Sequence, residues 1–311
     1  MMTTRRIGSL EVTPVGLGCN NFGWFLPDEA ASGAVIDAAF DAGINFFDTA
    51  DVYGNGQSEI LLGKALRGRR NRAVIVTKFG FTMGSFEGGG RPEYVRKSAE
   101  GSLQRLGVDV IDLYMLHWPD PKTPLADTLG AMQELVKAGK VREIGCSNMS
   151  VAQLGEAAAL VRSGAPRFVC VENEFSLLKR EVEKEVLPEC TRQNLAFLPY
   201  FPLASGLLTG KYRKGATPPA GARLTNGGEH FAGMLSDANL SLVEDLVAFA
   251  EARGHSLLEL AFSWLLAHGP VASVIAGATK PEQIRANVGA AAWQLTHADL
   301  AAINAILDRP R

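Results

Sequence analysis

Ile44-Asn45-Phe46-Phe47-Asp48, Ala73-Val74-Ile75-Val76-Thr77-Lys78 and Ile111-Asp112-Leu113-Tyr114-Met115-Leu116-His117 share one design. Each is a short, largely apolar, strand-like run that closes on an ionisable side chain. Runs without strict alternation suit parallel strands covered by helices on one face and by a core on the other. Similar runs lie at 15–18, 44–47, 73–78, 111–116, 141–146, 168–172, 195–200 and 272–276. Amphipathic stretches separate them, for example 29–42, 92–106, 125–138, 150–162 and 182–193. Within 92–106 the apolar side chains Val95, Ala99, Leu103 and Leu106 fall on one helical face, and Pro92 suits the first turn. The strand spacing is mostly about 30 residues, the size of one βαβ unit. The pattern therefore predicts an α/β chain folded as a (β/α)8 TIM barrel, one domain over residues 1–311.

A doubly wound sheet is the rival architecture. It calls for a glycine-rich phosphate loop after its first strand, and Gly16-Leu17-Gly18-Cys19-Asn20-Asn21-Phe22-Gly23 is not that fingerprint. Residues 1–14 read as an N-terminal hairpin, with Gly8-Ser9 as its turn, placed to plug the barrel floor. Two segments break the βα rhythm. Residues 211–235 carry Pro218-Pro219, Gly221 and Gly227-Gly228 with no helical or strand period, and Met83–Arg91 carries Gly84 and Gly88-Gly89-Gly90. Loops of this kind that follow strands are expected over the rim where the strands end.

Composition narrows the function classes. Hydrophobic residues make up 47% of the 311, enough for a sizeable core, and the formal net charge is −2. That balance gives no case for nucleic acid or an anionic membrane as partner. No apolar run reaches the roughly 18 residues that span a bilayer. Arg5 and Arg6 are not followed by the apolar core of a signal peptide. Cys19, Cys146, Cys170 and Cys190 lack metal-ligand or paired spacing, so they are expected to be reduced thiols in a cytoplasmic protein with no metal site. Nothing in the sequence specifies an oligomeric state.

Parallel strands that end at one rim bring Asp48, Lys78 and His117 together. Tyr53 stands five residues beyond Asp48, in Asp51-Val52-Tyr53-Gly54. A free phenol, with a pKa of about 10, is poorly matched to proton donation near neutrality. A neighbouring ammonium stabilises the phenolate, and Lys78 can supply it. Burying that ammonium requires a paired carboxylate, for which Asp48 is placed. His117 can hydrogen-bond a substrate oxygen. Taken singly, Asp48 reads as a turn cap, Lys78 as a solvated strand end, Tyr53 as a packed loop aromatic and His117 as a rim histidine. Taken together, they can deliver a proton to a carbonyl oxygen.

The same residues carry a family resemblance. Phe47-Asp48-Thr49-Ala50-Asp51-Val52-Tyr53-Gly54, followed by Ser58-Glu59 and Leu62-Gly63, resembles the signature of the aldo-keto reductases around their catalytic Asp and Tyr. Lys78 and His117 match the family's catalytic Lys and His, and Gly145-Cys146-Ser147-Asn148 resembles its strand-five motif. The similarity runs from about Ile7 to Asn287 and implies a barrel that binds NADPH extended, without a Rossmann domain. It implies that Ser147 and Asn148 hold the nicotinamide carboxamide and that Tyr200 stacks on the ring. Phe201, Pro202, Leu203, Ser205, Gly206 and Leu207 would wrap the pyrophosphate. Gly277, Thr279 and Lys280 would meet the adenosine phosphate, with Gln283 and Asn287 at the adenine. Pro281 marks a helix start, where backbone donors and Lys280 favour an anion.

The chain departs from the family pattern in places. Glu172 stands where glutamine is common at the carboxamide, and a carboxylate accepts there but donates only when protonated. Ala286 replaces an acidic residue often found beside the adenine, and Gln283 an arginine found in some members. The expected function is NADPH-dependent reduction of aldehydes or ketones, with a small-molecule carbonyl as substrate. The alternatives are an aldose or alcohol dehydrogenase working oxidatively, and a non-turnover NADPH-sensing barrel. Trp24, Phe25, Phe81, Phe86, Trp118 and Phe231 are candidates for an apolar substrate wall, Trp24 and Trp118 foremost. Arg91 or Arg223 would add an anion trap if its loop folded inward.

Overall fold

The computed structural model describes residues 3–83, 87–226 and 233–310. Eight parallel strands form its sheet: β3 (Val15–Gly18), β4 (Phe46–Asp48), β5 (Val74–Phe79), β6 (Ile111–Leu116), β7 (Val141–Ser147), β8 (Cys170–Glu174), β9 (Ala196–Tyr200) and β10 (Val274–Gly277). Neighbours follow chain order, and β10 pairs with β3, so the sheet curls into a nearly closed barrel. Phe197 brings β9 against the chain just before β10: its N–H donates to Pro270 O (2.7 Å), and its carbonyl accepts from Ala272 N–H (3.0 Å). Helices lie between the strands, among them Gln57–Ala65, Pro92–Leu106, Leu125–Lys137, Val151–Arg162 and Pro281–Ala290.

Strand alternation divides the apolar side chains between two cores. Phe46, Val76, Leu113, Met115, Leu198 and Ile275 fill the barrel interior. Outward-facing residues such as Ile75 and Phe79 pack under the helices, where Val95, Ala99, Leu103 and Leu106 present the face expected of helix Pro92–Leu106. Each large side chain buried this way contributes about 1.5–3 kcal/mol. The hairpin strands β1 (Arg5–Ile7) and β2 (Leu10–Val12) add Ile7, Leu10 and Val12 to the inner core. Ser9 N–H reaches Glu143 Oε1 (2.7 Å) near the start of β7, which sets the hairpin at the end opposite Asp48 and closes the floor as expected.

The element boundaries differ from expectation in ways that matter locally. β4 starts two residues later than the apolar run and takes in Asp48; β8 is displaced by two residues, so Glu172 lies mid-strand. The amphipathic stretch 182–193 divides into a 3-10 turn (Glu181–Glu183) and a helix (Val186–Gln193). Residues 211–235, read as devoid of helix, hold a short helix at Arg223–Asn226 and a 3-10 turn at Gly233–Leu235, pieces too brief to carry a period. Gly84, Phe86, Gly227-Gly228 and Phe231 lie outside the described residues. Among the described residues, no helix is long and apolar enough to cross a membrane.

Candidate active site

Asp48 ends β4 in register with Gly18 and Val76, and Lys78 sits two residues beyond Val76 on the same inward face of β5. Residues after Asp48 ride up along β5: Thr49 N–H donates to Val76 O (2.9 Å) and Asp51 N–H to Lys78 O (3.1 Å). Thr49 and Ser58 share a hydroxyl hydrogen bond (2.8 Å), and Ser58 donates to Cys19 O (2.8 Å). This ties the tyrosine loop to the loop after β3. At Gly54 (φ +56°) an added Cβ would lie 2.9 Å from Gly23 Cα and from Phe22 O, so only glycine permits the approach. Tyr53 is thereby held over the barrel mouth.

Lys78 and Asp48 are buried and paired, with Nζ 2.5 Å from Oδ1. Nζ also lies 3.4 Å from Thr49 O and 3.4 Å from Glu172 Oε2, and 5.4 Å from the centroid of the Tyr53 ring. Burial alone pulls the Lys78 ammonium down, but Asp48, Glu172 and Tyr53 more than reverse it and hold the group protonated. Burial lifts the Asp48 carboxyl, against the opposing charge of Lys78.

The phenol departs from expectation. Burial raises the Tyr53 pKa above its ordinary value; Lys78 lowers it as anticipated, but Asp48 and Glu172 add to the rise. The lysine thus limits a rise rather than producing a net fall, because burial outweighs its pull and the nearby carboxyl groups add to the rise when ionised.

His117 N–H donates to Phe79 O (2.8 Å), which extends the β5–β6 pairing by one residue and sets the ring edge-on to Tyr53 at 5.8 Å between centroids. Phe81 packs edge-on against it at 4.7 Å. Burial, then Lys78, pushes the imidazole down to about 2, so it is neutral at physiological pH. Its Nδ1 is buried and has no hydrogen-bond partner among the described residues, and the same holds for Glu172 Oε2.

Ser147 and Asn148 follow on β7 and meet β8 and β9. Ser147 Oγ donates to Glu172 O (2.7 Å); Asn148 Nδ2 donates to His117 O (3.0 Å) and to Ser147 Oγ (3.0 Å). Tyr200 Oη donates to Asn148 Oδ1 (2.8 Å). The three side chains expected around a carboxamide and ring thus form one connected patch against the His117 backbone. Glu172, expected there as well, joins the patch through its backbone carbonyl and has its Oε2 3.4 Å from Lys78 Nζ. The next loop is conformationally strained: Phe201, Ala204 and Ser205 have φ of 49°, 45° and 56°, and Gly206 has φ of 98°. Three non-glycine residues at positive φ each cost about 1 kcal/mol or more, the kind of strain that clusters at ligand clamps.

At the far end, Gln283 Oε1 accepts from Thr279 N–H (2.7 Å) and Lys280 N–H (3.2 Å), so Gln283 caps its own helix rather than projecting from it. Lys280 is exposed and Asn287 buried. Gly277 stands beside the Asn20 and Asn21 side chains.

Two cations escaped the sequence reading in whole or part. Lys211 stands against Gly206 of the strained loop, its Nζ 3.3 Å from where a Cβ would sit. Arg223 reaches Asn21 Oδ1 and covers the Phe25 ring at 5.2 Å. Burial, then mutual repulsion, lowers the Lys211 pKa; burial lowers that of Arg223. Neither forms an ion pair with a carboxylate of the described residues. A lone lysine after a glycine carries no signal of this in sequence, because the loop conformation creates the proximity. Trp24 (55% exposed) lies 6.3 Å from Tyr53 between ring centroids, and Trp118 is 49% exposed. Trp118 also lines a cavity of about 700 Å³ with Pro119, Asn148, Met149 and Gln153. Among the described residues no cluster of three or more His, Cys, Asp or Glu could hold a metal.

The comparisons with known proteins point to one family and one fold. The family model described as "Aldo/keto reductase family" matches residues 14–308. The chain is 37% identical over 308 residues to "Aldo-keto reductase YhdN" of Bacillus subtilis (strain 168), covering 96% of this chain and 91% of that protein. Among solved structures it resembles the glycerol dehydrogenase AKR11B4 from Gluconobacter oxydans, with TM-score 0.84 and 34% identity over 98% of this chain and 94% of the other. It also resembles the holo form of aldo-keto reductase AKR11C1 from Bacillus halodurans, with TM-score 0.82 and 30% identity over 98% and 96% of the two chains. The chain belongs to the aldo/keto reductase family.

Proposed function

We propose that this protein reduces aldehydes or ketones to alcohols with NADPH, using Tyr53 as the general acid. The observation that carries the reading is the buried Lys78–Asp48 pair beneath Tyr53, with a neutral His117 edge-on to the phenol. The nicotinamide, when bound, supplies the hydride that the carbonyl carbon takes up. As that carbon is reduced, its oxygen gains charge and takes the Tyr53 proton. The phenolate left behind faces the Lys78 ammonium, and Asp48 keeps that ammonium charged. His117, neutral, can donate a hydrogen bond to the oxygen before transfer. General acid help of this kind is worth about 10²–10⁴ in rate.

The residues present fit a dinucleotide. Ser147, Asn148 and Tyr200 form one polar patch against the His117 backbone, and the strained loop from Phe201 to Leu207 follows it in the chain. Lys211 and Arg223, without carboxylate partners among the described residues, are placed to meet a pyrophosphate. Thr279 and Lys280 would take the 2′-phosphate. The exposed aromatics Trp24, Phe25, Phe81 and Trp118 favour an apolar carbonyl.

The likeness to a glycerol dehydrogenase favours a second reading, oxidation of an alcohol through the same residues. A panel of aldehydes, ketones and polyols, assayed in both directions with NADPH or NADP+, separates the two by their relative rates at neutral pH. Turnover of none of them, with NADPH still bound, would replace both by a cofactor-sensing barrel.

A further inference from the structure

We infer that Glu172 is a proton-carrying residue that acts through Lys78, sharing its ammonium with Tyr53 and so setting the pH range over which Tyr53 can give up its proton. The inference rests on the reading of Tyr53 as the acid. Glu172 is buried mid-strand in β8, in register with Ser147 and Leu198, and its Oε2 lies 3.4 Å from Lys78 Nζ. An ammonium has three N–H donors. Two are taken by hydrogen bonds, to Asp48 Oδ1 (2.5 Å) and Thr49 O (3.4 Å). Glu172 Oε2, which makes no hydrogen bond among the described residues, lies 3.4 Å from Nζ, and Nζ stands 5.4 Å from the Tyr53 ring centroid. Glu172 and Tyr53 are left as rivals for the third.

The charge balance gives the sign. Lys78 and Asp48 together are neutral, so ionising Glu172 leaves one uncompensated negative charge in a buried volume. That charge opposes formation of a phenolate and draws the ammonium away from it. A protonated Glu172 removes both effects. Burial and the Asp48 charge, opposed by Lys78, push Glu172 up to about 8, so it carries its proton at neutrality and loses it just above. The other titratable groups around it do not offset this. Tyr53 and Tyr200 are neutral phenols, Cys170 on its own strand has a thiol raised by burial, and His117 is held uncharged.

The test compares the native protein with Glu172→Gln and Glu172→Asp. For the native protein, kcat/KM for carbonyl reduction should fall as pH rises through the Glu172 titration. In Glu172→Gln that fall should move upward by about one pH unit or more, while Glu172→Asp keeps it. Superimposable profiles for the native protein and Glu172→Gln would overturn the inference.

Two readouts do not depend on turnover. Infrared difference spectra should show a carboxylic acid band lost near pH 8 in the native protein and absent from Glu172→Gln; a carboxyl that ionises at its ordinary value overturns the idea. Tyrosinate absorbance, taken as the difference between each protein and its Tyr53→Phe counterpart, should titrate about one unit lower in Glu172→Gln. If no carbonyl is turned over, the reading of Tyr53 as an acid has failed on its own. The tyrosinate titration then decides for Glu172: a downward shift supports its hold on Lys78, and no shift refutes it.

Discussion

Strand β5 has a buried charge cluster on each face, and the two are built differently. On the outer face, Thr77 Oγ1 donates to Glu59 Oε1 (2.6 Å) and Arg105 Nε to Glu59 Oε2 (2.6 Å), so both oxygens of a fully buried carboxylate are engaged. On the inner face, Lys78 is divided among Asp48, Thr49, Glu172 and Tyr53, while Glu172 Oε2 and His117 Nδ1 are buried without a hydrogen-bond partner among the described residues. Buried polar groups are normally satisfied, and exceptions mark strain or function. The outer cluster locks helices Gln57–Ala65 and Pro92–Leu106 to the barrel wall. The inner one leaves Glu172 Oε2 and His117 Nδ1 open to a ligand or a moving proton.

The contrast is sharpest if the two clusters are broken in turn. Tyr53→Phe should lower kcat by about 10²–10⁴, with cofactor affinity and thermal stability near native; near-native turnover would remove Tyr53 from the acid role. Glu59→Ala should do the opposite. It strands Arg105 and should cost about 3–5 kcal/mol of stability in denaturant unfolding, while the folded fraction keeps its turnover. A large loss of kcat with unchanged stability in Glu59→Ala would show that the two faces of β5 are not separable.

The inner cluster was more legible in the sequence than the outer one. Asp48, Lys78 and His117 each close an apolar run, and parallel strands that end at one rim converge without any knowledge of packing. Glu59 and Arg105 sit on two helices, and their meeting depends on how closely those helices approach. At Gly63 an added Cβ would lie 2.2 Å from Leu106 O, a contact that helical periodicity does not encode. The same limit explains Glu172. Its strand was readable, but the turn of its side chain toward Lys78 reflects competition inside the barrel. The family resemblance puts Gln283 at the adenine, and periodicity does not show that its amide also caps the helix, because the unpaired N–H groups of a helix start attract any local acceptor. Lys211 escaped because positive φ at Ser205 and Gly206 brings it alongside the loop.

Acid should probe the inner cluster through His117. His117 has a folded pKa near 2 against an unfolded value of about 6.5. Between those values the unfolded chain binds more protons, so the stability from a neutral His117 is present above pH 6.5 and is lost as pH falls toward 2. His117→Gln cannot titrate. From pH 7 to pH 5 the native protein should lose stability more steeply than this variant, by at most about 1.4 kcal/mol per pH unit. Parallel unfolding curves across that range would mean that His117 is protonated, or solvated, in the folded protein.

The smallest effect expected is at the rim, where the site meets solvent. Lys280 is exposed, and the N–H groups of Thr279 and Lys280 beside it are already held by Gln283 Oε1. A 2′-phosphate arriving there must displace that amide to use the backbone donors, which costs the helix its cap. On the proposed reading, the ammonium of Lys280 would therefore carry most of the discrimination between NADPH and NADH. Lys280→Ala should weaken NADPH about tenfold and leave NADH nearly unchanged, a difference that shrinks as salt rises through the screening range. Gln283→Ala separates the two contributions. It frees the backbone donors, so NADPH should bind no more weakly than to the native protein even as the helix loses stability. Equal losses for both cofactors in Lys280→Ala would move the phosphate away from Lys280 and toward Lys211, which stands against Gly206, and Arg223, which reaches Asn21 Oδ1.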